Sequence, residues 1–327
     1  MGVALDEWVE LVDREYLRDF VPAGGSAVKI AVADPEEVAA AMDAVAAAAD
    51  ERGYFVARVS AAETRIHMID HVFHAVARGV EWERITDQYL RALLNANGIL
   101  VGAEQPLRDL AGIAEANGRL RDDLYLEINR LIVNNVLRDY ALCKEFRTAM
   151  AMLCRGCINP ANVAPDEAAM IRQWLRGERC SLAALKRVQI YQRIGRHNAR
   201  LLLASLTRWL RQVGYAGVAL VINLSAVVTE YRVGEVPVRY TRNTLLDAYE
   251  VLRQFIDGIE ETRHLLLAVV CTPGLVEDPK RSVANYAALQ LRIVNEVRDR
   301  DRANPLNTLV RLDGAADEGG LTWTRRE

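Results

Sequence analysis

The sequence lacks any apolar run long enough to span a membrane, and its acidic first residues are unlike a signal peptide. Its five cysteines are an odd number, which argues for free thiols and against a disulfide framework. We therefore expect a cytoplasmic protein that makes no contact with a membrane.

Lysine is scarce, since only four lysines contribute to the 41 basic residues and the rest are arginines. The formal net charge of −3 gives no overall electrostatic footprint for nucleic acid, although a local basic patch remains open. With 51% hydrophobic and 26% charged residues, the 327-residue chain can bury a sizeable core. Its length suggests one large domain or two modest ones.

Motifs of several enzyme classes are missing, because the chain contains no GxSxG, no HExxH and no GxGxxG. Two groups of metal-ligating residue types occur, but neither has the complete spacing of a zinc site. We therefore predict no metal site, and we rank last an enzyme that would use these groups. They are His67, His71 and His74, and the pair Cys154 and Cys157 with Cys143 and Cys180.

Residues 27–53 have the outline of a strand, a turn and a helix that open a nucleotide-binding α/β domain. We predict Asp34 as the N-cap of the helix, Pro35 as its first residue and Glu37 at the third position, so that carboxylates occupy its positive end. The turn has no Gly, Lys, Ser or Thr, whereas a phosphate-binding loop reads GxxxxGK followed by Ser or Thr. Two interpretations are open: a nucleotide site that has lost its nucleotide, or an ordinary capped helix.

Further strands are predicted at 54–60, 217–224, 265–271 and 307–312, each separated from the next by helical patterns. Five strands that alternate with helices predict an α/β fold with a mostly parallel sheet. The predicted division is an N-terminal helix and turn (1–25), a first β-α-β part of the core (26–62), a helical insertion (63–213), the remainder of the α/β core (214–314) and a flexible tail (315–327).

An ATPase of this class places an acidic pair at the end of a buried strand, where it holds Mg²⁺ and orients water. The apolar strand that ends at Ile222 is instead followed by Asn223 and Leu224. Asn223 is uncharged, and Leu224 cannot act as a base. The phosphate loop and the acidic pair are thus both missing from the places where they should lie.

Several stretches of the sequence resemble the ATP-binding proteins of the BREX phage-defence system, a BrxD-like family within the AAA+ ATPases. The more specific stretches are GYAGVALVINL and CTPGL, and the resemblance spans most of residues 15–314. It implies a P-loop NTPase-like (AAA+) core with a mostly parallel five-stranded sheet and a large helical insertion. Family members carry the phosphate loop near Asp34 and Pro35, an Asp-Glu pair at Asn223 and Leu224, and a polar sensor residue at Thr272.

From the resemblance and these departures we predict a non-catalytic, pseudo-ATPase subunit, a scaffold or regulator in a hetero-oligomeric complex linked to phage defence or DNA. No catalytic residue and no cofactor are expected, except ATP shared at an interface with an active neighbour. The partner would then be a protein, such as an active ATPase paralogue. AAA+ subunits complete a neighbour's site with an arginine, and the candidates here are Arg239, Arg242 and Arg253.

The alternative function is an arginine-rich nucleic-acid-binding module without ATPase activity, so that DNA is a further candidate partner. The candidate contacts are Arg193, Arg196 and Arg200, which are spaced to share one helical face, with Arg208 and Arg211 farther along. A basic stripe of this kind contacts phosphates. The acidic overall balance argues against it.

Overall fold

A computed structural model describes residues 2–232, 234–294 and 304–313 of the chain. The chain divides into two compact units. The sheet unit runs up to Met68 and resumes at Ala216, and the helical unit comprises Ile69–Tyr215. The five-segment division made from the sequence stays a prediction, and its tail, 315–327, lies outside the described residues.

The described part of the sheet unit contains five strands in one sheet, in the order β2-β3-β4-β1-β5, and every pairing is parallel. This arrangement confirms the predicted α/β class with a parallel sheet and is consistent with a P-loop NTPase-like core. The central strand β4 is apolar and buried along its whole length, because both faces of the sheet are covered there. The strands are β1 (Ser26–Val32), β2 (Phe55–Ser60), β3 (Val218–Asn223), β4 (Leu265–Cys271) and β5 (Leu309–Arg311).

One face of the sheet is covered by helices α1 (Leu5–Val12) and α2 (Val38–Glu51), and a short π-helical stretch, Asp13–Leu17, continues α1. Trp8 and alanines on the buried side of α2 pack there against alternate residues of β1, β3 and β4. Alanine at these positions lets α2 approach the sheet closely. The alanine-rich pattern of the sequence is therefore a packing feature.

The helical unit consists, over its described residues, of eight α-helices around a core of aromatic side chains. Trp209 lies centrally in this core, with its ring centroid 4.0 Å from that of Tyr89 and 6.2 Å from that of Phe146. The helices are α3 (Ile69–Arg78), α4 (Trp82–Ala96), α5 (Leu110–Ala116), α6 (Arg121–Ile132), α7 (Lys144–Ile158), α8 (Pro165–Arg176), α9 (Leu182–Arg187) and α10 (Ala199–Val213).

The second part of the sheet unit adds helices to the segments that follow β3 and β4. They are α11 (Ser225–Val228), α12 (Arg242–Asp257), α13 (Gly274–Glu277) and α14 (Ala287–Ile293). The sequence predicts one helix over 282–300, but α14 begins at Ala287, after a 3-10 turn at Val283–Asn285. The part of that prediction at 295–300 lies outside the described residues.

Candidate functional site

The candidate site is the edge of the sheet at which the parallel strands end. β1 and β4 end together, because Val32 pairs with Cys271 and the N–H of Ala33 donates to the carbonyl of Cys271 at 2.9 Å. From β1 the chain goes on to β2 on one side, whereas from β4 it crosses to β5 on the other side. Ligands of open α/β sheets bind beside the carboxyl ends of the strands at such a reversal.

The connection from β1 to α2 is short, since only residues 33–37 separate the two elements. The N–H groups of Glu37 and Val38 donate to the carbonyl oxygen of Asp34, at 2.8 and 3.1 Å, and form a tight turn. The predicted N-cap at Asp34 and helix start at Pro35 are therefore wrong: α2 begins at Val38, because the chain closes this turn before the regular helix starts. The turn is shorter than a GxxxxGK(S/T) loop and carries Asp34, Glu36 and Glu37.

The end of β3 is the position at which an acidic pair is expected. Asn223 Oδ1 accepts a hydrogen bond from the N–H of Ser225 at 3.0 Å and so initiates α11. Leu224 is fully buried, and its N–H donates to the carbonyl of Val270 at 2.8 Å. The side-chain amide of Asn223 therefore stabilises the local backbone, and the side chain of Leu224 packs in the core.

The end of β4 places Thr272 beside the end of β1. Its carbonyl accepts from the N–H of Leu275 at 3.1 Å, which starts the turn into α13. The preceding residue, Cys271, is completely buried, and burial raises the pKa of its thiol to about 12. Thr272, the residue at the predicted position of a polar sensor, is half-buried at this edge.

The lysine of β1 is directed away from this edge. Lys29 is buried, its Nζ donates to the carbonyls of Leu306 at 2.6 Å and Asn307 at 3.2 Å, and it lies 4.7 Å from the centroid of the Tyr16 ring. Burial lowers its pKa to about 8. None of the four lysines follows a glycine, so the chain contains no Gly-Lys step of a phosphate loop.

A buried arginine, which sequence reasoning missed, holds the segments at this edge together. The Nη2 of Arg281 donates to the carbonyls of Val227 and Tyr240, both at 2.8 Å, and its Nε donates to Val227 at 3.3 Å. Arg281 thereby joins α11 to the segment that leads into α12. The stretch around it, EDPKRS, has the appearance of an exposed turn, and no periodicity in the sequence signals that one of its two cations is buried.

A family model described as BREX system ATP-binding protein BrxC/D matches residues 41–321. This match covers well over half of the chain. The chain belongs to the BrxC/BrxD family. The match begins within α2, so β1 and the turn after it precede the matched region. No curated protein and no solved structure matches the chain. None of the described helices is long and apolar enough to cross a bilayer.

The three arginines predicted for an interface lie at two different places on the sheet unit. Arg239 and Arg242 are exposed near the start of α12, and the N–H of Val238 donates to the carbonyl of Ala62 just beyond β2, which places this segment at the carboxyl edge. Arg253 lies about 16 Å farther along the helix. Its guanidinium is held by the carboxylates of Glu250 and Asp257, and the pairing with Arg253 lowers the pKa of Glu250 to about 2.

The three arginines predicted to contact nucleic acid lie in the helical unit. Arg193 and Arg196 are exposed and precede α10, whereas Arg200 is in its first turn. The prediction that all three share one helical face is wrong, because α10 begins only at Ala199. The preceding turn is closed by Asn198, whose side chain accepts from the N–H of Gly195 at 2.9 Å and donates to the carbonyl of Arg193 at 3.1 Å.

The histidines do not form a helical row, because α3 begins at Ile69, after His67. The Nδ1–H of His74 donates to the carbonyl of Leu175 at 3.2 Å, and burial lowers the pKa of this histidine. All five cysteines are free thiols, and burial raises the pKa of Cys157 to about 11. Within residues 2–232, 234–294 and 304–313, no three His, Cys, Asp or Glu side chains are grouped as metal ligands.

Proposed function

We propose that this chain is a pseudo-ATPase subunit of a BREX-type phage-defence complex, acting in the cytoplasm as a scaffold or regulator. The supporting observation is the turn between β1 and α2. Its five residues, 33–37, are fewer than the eight of a GxxxxGK(S/T) loop, and they include Asp34, Glu36 and Glu37 instead of Gly, Lys and Ser or Thr. A triphosphate bound at this turn would be repelled by three carboxylates, and the turn has no lysine to compensate.

The end of β3 supports the same proposal independently. Coordination of Mg²⁺ at this edge needs carboxylate oxygens. Asn223 uses its side-chain oxygen to cap the backbone at Ser225, and Leu224 is buried. Neither residue offers a carboxylate that could hold the metal or orient water. A parallel sheet that lacks carboxylates at this position supports the proposal of a subunit that does not hydrolyse ATP itself.

The deciding experiment measures nucleotide binding and turnover by the purified chain, followed by native mass spectrometry of the protein isolated gently from its own host. We expect no Mg²⁺-dependent ATP binding by the isolated chain, and a complex in which any nucleotide accompanies a second, ATPase-like subunit. A chain that is isolated alone with bound ATP and Mg²⁺, and that turns ATP over, would contradict the proposal.

A shared site is the way in which such a subunit would still contribute to hydrolysis. Arg239 and Arg242 lie at the carboxyl edge, are exposed, and have no side-chain hydrogen-bond or ion-pair partner among the residues the structure describes. An arginine supplied from a neighbouring subunit stabilises the charge of the transferred phosphoryl group. We therefore favour these two over Arg253, whose guanidinium is already held by two carboxylates.

The second candidate function is nucleic-acid binding by the helical unit, and it is supported by the exposure of Arg193 and Arg196. Contacts to phosphates release counterions, so binding of this kind weakens steeply as salt is added. The test is the affinity for a labelled DNA duplex and a single strand across a salt series. Binding that is absent at low salt would remove this candidate.

A further inference from the structure

Three clefts of the helical unit adjoin one another through shared lining residues, and we call them together the α4–α8 groove. The middle cleft has a volume of about 620 Å³, and its neighbours measure about 400 and 350 Å³. The middle cleft shares Trp82, Glu83 and Arg172 with the smallest one and Glu178 with the other. Since neighbouring clefts have walls in common, an extended ligand could follow them from one end to the other.

The charge of the groove is positive, although the whole chain carries a net charge of −3. Two arginines in it are neutralised locally: Arg84 pairs with Glu81, and Nη2 of Arg172 lies 3.1 Å from Oε1 of Glu83. The other arginines of the groove have no hydrogen-bond or ion-pair partner for their side chains within the described part of the chain. They are Arg108, Arg176, Arg179 and Arg193.

Arg176 gives the most specific indication of a ligand. It lies in the last turn of α8 and lines the middle cleft, and its Nε is buried without a hydrogen-bond partner among the described residues. The rest of the side chain is partly exposed, so this cation is available to a ligand in the cleft while its Nε lacks an acceptor. A carboxylate from outside the chain would supply charge-assisted hydrogen bonds to the exposed part of this guanidinium.

The smallest cleft differs from the other two because its exposed wall is mostly apolar. Leu153, Val163 and Pro165 line it, with Trp82 at the boundary to the middle cleft. Such a wall fits an aliphatic or aromatic side chain, as in other peptide-binding grooves that combine apolar pockets with a few polar groups.

We propose that the α4–α8 groove binds an extended acidic segment of a partner protein. An apolar side chain of that segment occupies the cleft at Leu153 and Val163, and its carboxylates pair with Arg176, Arg179 and Arg193. A nucleic-acid strand fits less well, because Glu178 and the neutral pairs Arg84–Glu81 and Arg172–Glu83 interrupt the row of cations that an unbroken phosphate backbone would need. Separated carboxylates avoid these positions.

The acidic segment would belong to a partner in the BREX-type complex proposed above. Only the identity of that partner rests on the proposed function. Its test uses the isolated full chain without nucleotide, so its failure is separate from that of the pseudo-ATPase proposal. The probes are short fluorescein-labelled peptides of leucine, proline and glutamate, made in both sequence orders. Fluorescence anisotropy against the wild-type chain should show saturable binding of at least one order, and a peptide with lysine in place of glutamate should not bind.

Matched variants locate the binding. Two variants are compared: the single change Arg176→Gln, and the double change Arg179→Gln with Arg193→Gln. Each should weaken peptide binding about tenfold or more, as for other close charge pairs. Arg121→Gln serves as the control, because Arg121 is an exposed arginine of the same unit that lines none of the three clefts, and it should leave the affinity unchanged. Equal circular dichroism and melting temperatures establish that all variants fold.

Two results would overturn the proposal. One is peptide binding that is absent, or that all variants retain at wild-type affinity. The other is an oligothymidine strand that binds more tightly than any acidic peptide and whose binding is abolished when the groove arginines are replaced. That result would assign the groove to nucleic acid.

Discussion

The guanidinium of Arg281 donates two hydrogen bonds to the carbonyl oxygen of Val227, from Nη2 at 2.8 Å and from Nε at 3.3 Å. Through the further bond to Tyr240, this buried cation fixes the backbone that follows β3 to the backbone that precedes α12. Both segments lie at the carboxyl edge of the sheet. The shape of that edge therefore depends on a side chain distant from it in sequence, since Arg281 lies 54 positions from Val227.

Replacing Arg281 with Met should destabilise the sheet unit by about 2–3 kcal/mol, because the carbonyls of Val227 and Tyr240 would lose their charged donors while they remain buried. Arg281→Lys should recover only part of this, since an ammonium group lacks the planar fork that reaches both carbonyls. Urea unfolding followed by circular dichroism measures the change. Lys280→Met is the control, because Lys280 is exposed, and it should have almost no effect. An Arg281→Lys variant as stable as the wild type would contradict the proposed role of the fork.

Lys29 should make the stability of the wild-type chain rise with pH over a defined range. Its pKa is lowered to about 8 in the folded state from 10.5, so below pH 8 both folded and unfolded chains hold the proton and the cost of burying the charge is present in full. Between about pH 8 and 10.5 the unfolded chain binds more protons than the folded one. The free energy of unfolding therefore increases with pH in this range.

The comparison with Lys29→Met isolates this effect, because the other titrating groups are common to both proteins. Denaturant unfolding between pH 7 and 10 should give the wild type the steeper increase, by up to about 1.4 kcal/mol per pH unit. Parallel curves for the two proteins would show that Lys29 titrates normally.

A matched glycine pair tests the contact between the end of α8 and α3. Gly177 and Gly118 both have positive φ, 73° and 63°, so alanine is strained at each by about 1–2 kcal/mol. A Cβ at Gly177 would also clash with Cγ of His74, whereas a Cβ at Gly118 would meet no atom within 4 Å. Gly177→Ala should therefore destabilise the helical unit by about 1–3 kcal/mol more than Gly118→Ala. Adding His74→Ala should remove most of that difference in urea unfolding.

The sequence predicted the sheet well because its buried strands carry their own signal. The runs at 217–224 and 265–271 are continuous and apolar, and the structure places β3 and β4 within them. The local geometry of the turn after β1 could not be read in the same way, because Asp34-Pro35 is typical of a helix start and the chain instead closes a tight turn. Helical spacing was misleading in the same way for Arg193, Arg196 and Arg200. It does not reveal that Asn198 closes a turn before α10 begins.

The positions of Lys29 and Arg281 depend on contacts between distant parts of the chain. Lys29 donates to the carbonyls of Leu306 and Asn307, which lie near it only because β5 pairs with β1. Arg281 meets backbone from two separate segments. No local pattern distinguishes such buried cations from the many exposed arginines, so only the assembled fold identifies them.

The arginines at the start of α12 give the sharpest test of a shared site. In a complex with an active ATPase subunit, Arg239→Gln with Arg242→Gln should lower the rate of ATP hydrolysis at least about tenfold, because a supplied arginine stabilises the charge that develops on the phosphoryl group. Arg253→Gln should leave that rate unchanged, since Arg253 is held by Glu250 and Asp257 and lies farther along the helix. The measurement is steady-state turnover by the purified complex, with subunit content checked by native mass spectrometry. If the Arg239 and Arg242 changes alter neither turnover nor assembly while Arg253→Gln lowers turnover, the shared site must be sought at the other end of α12.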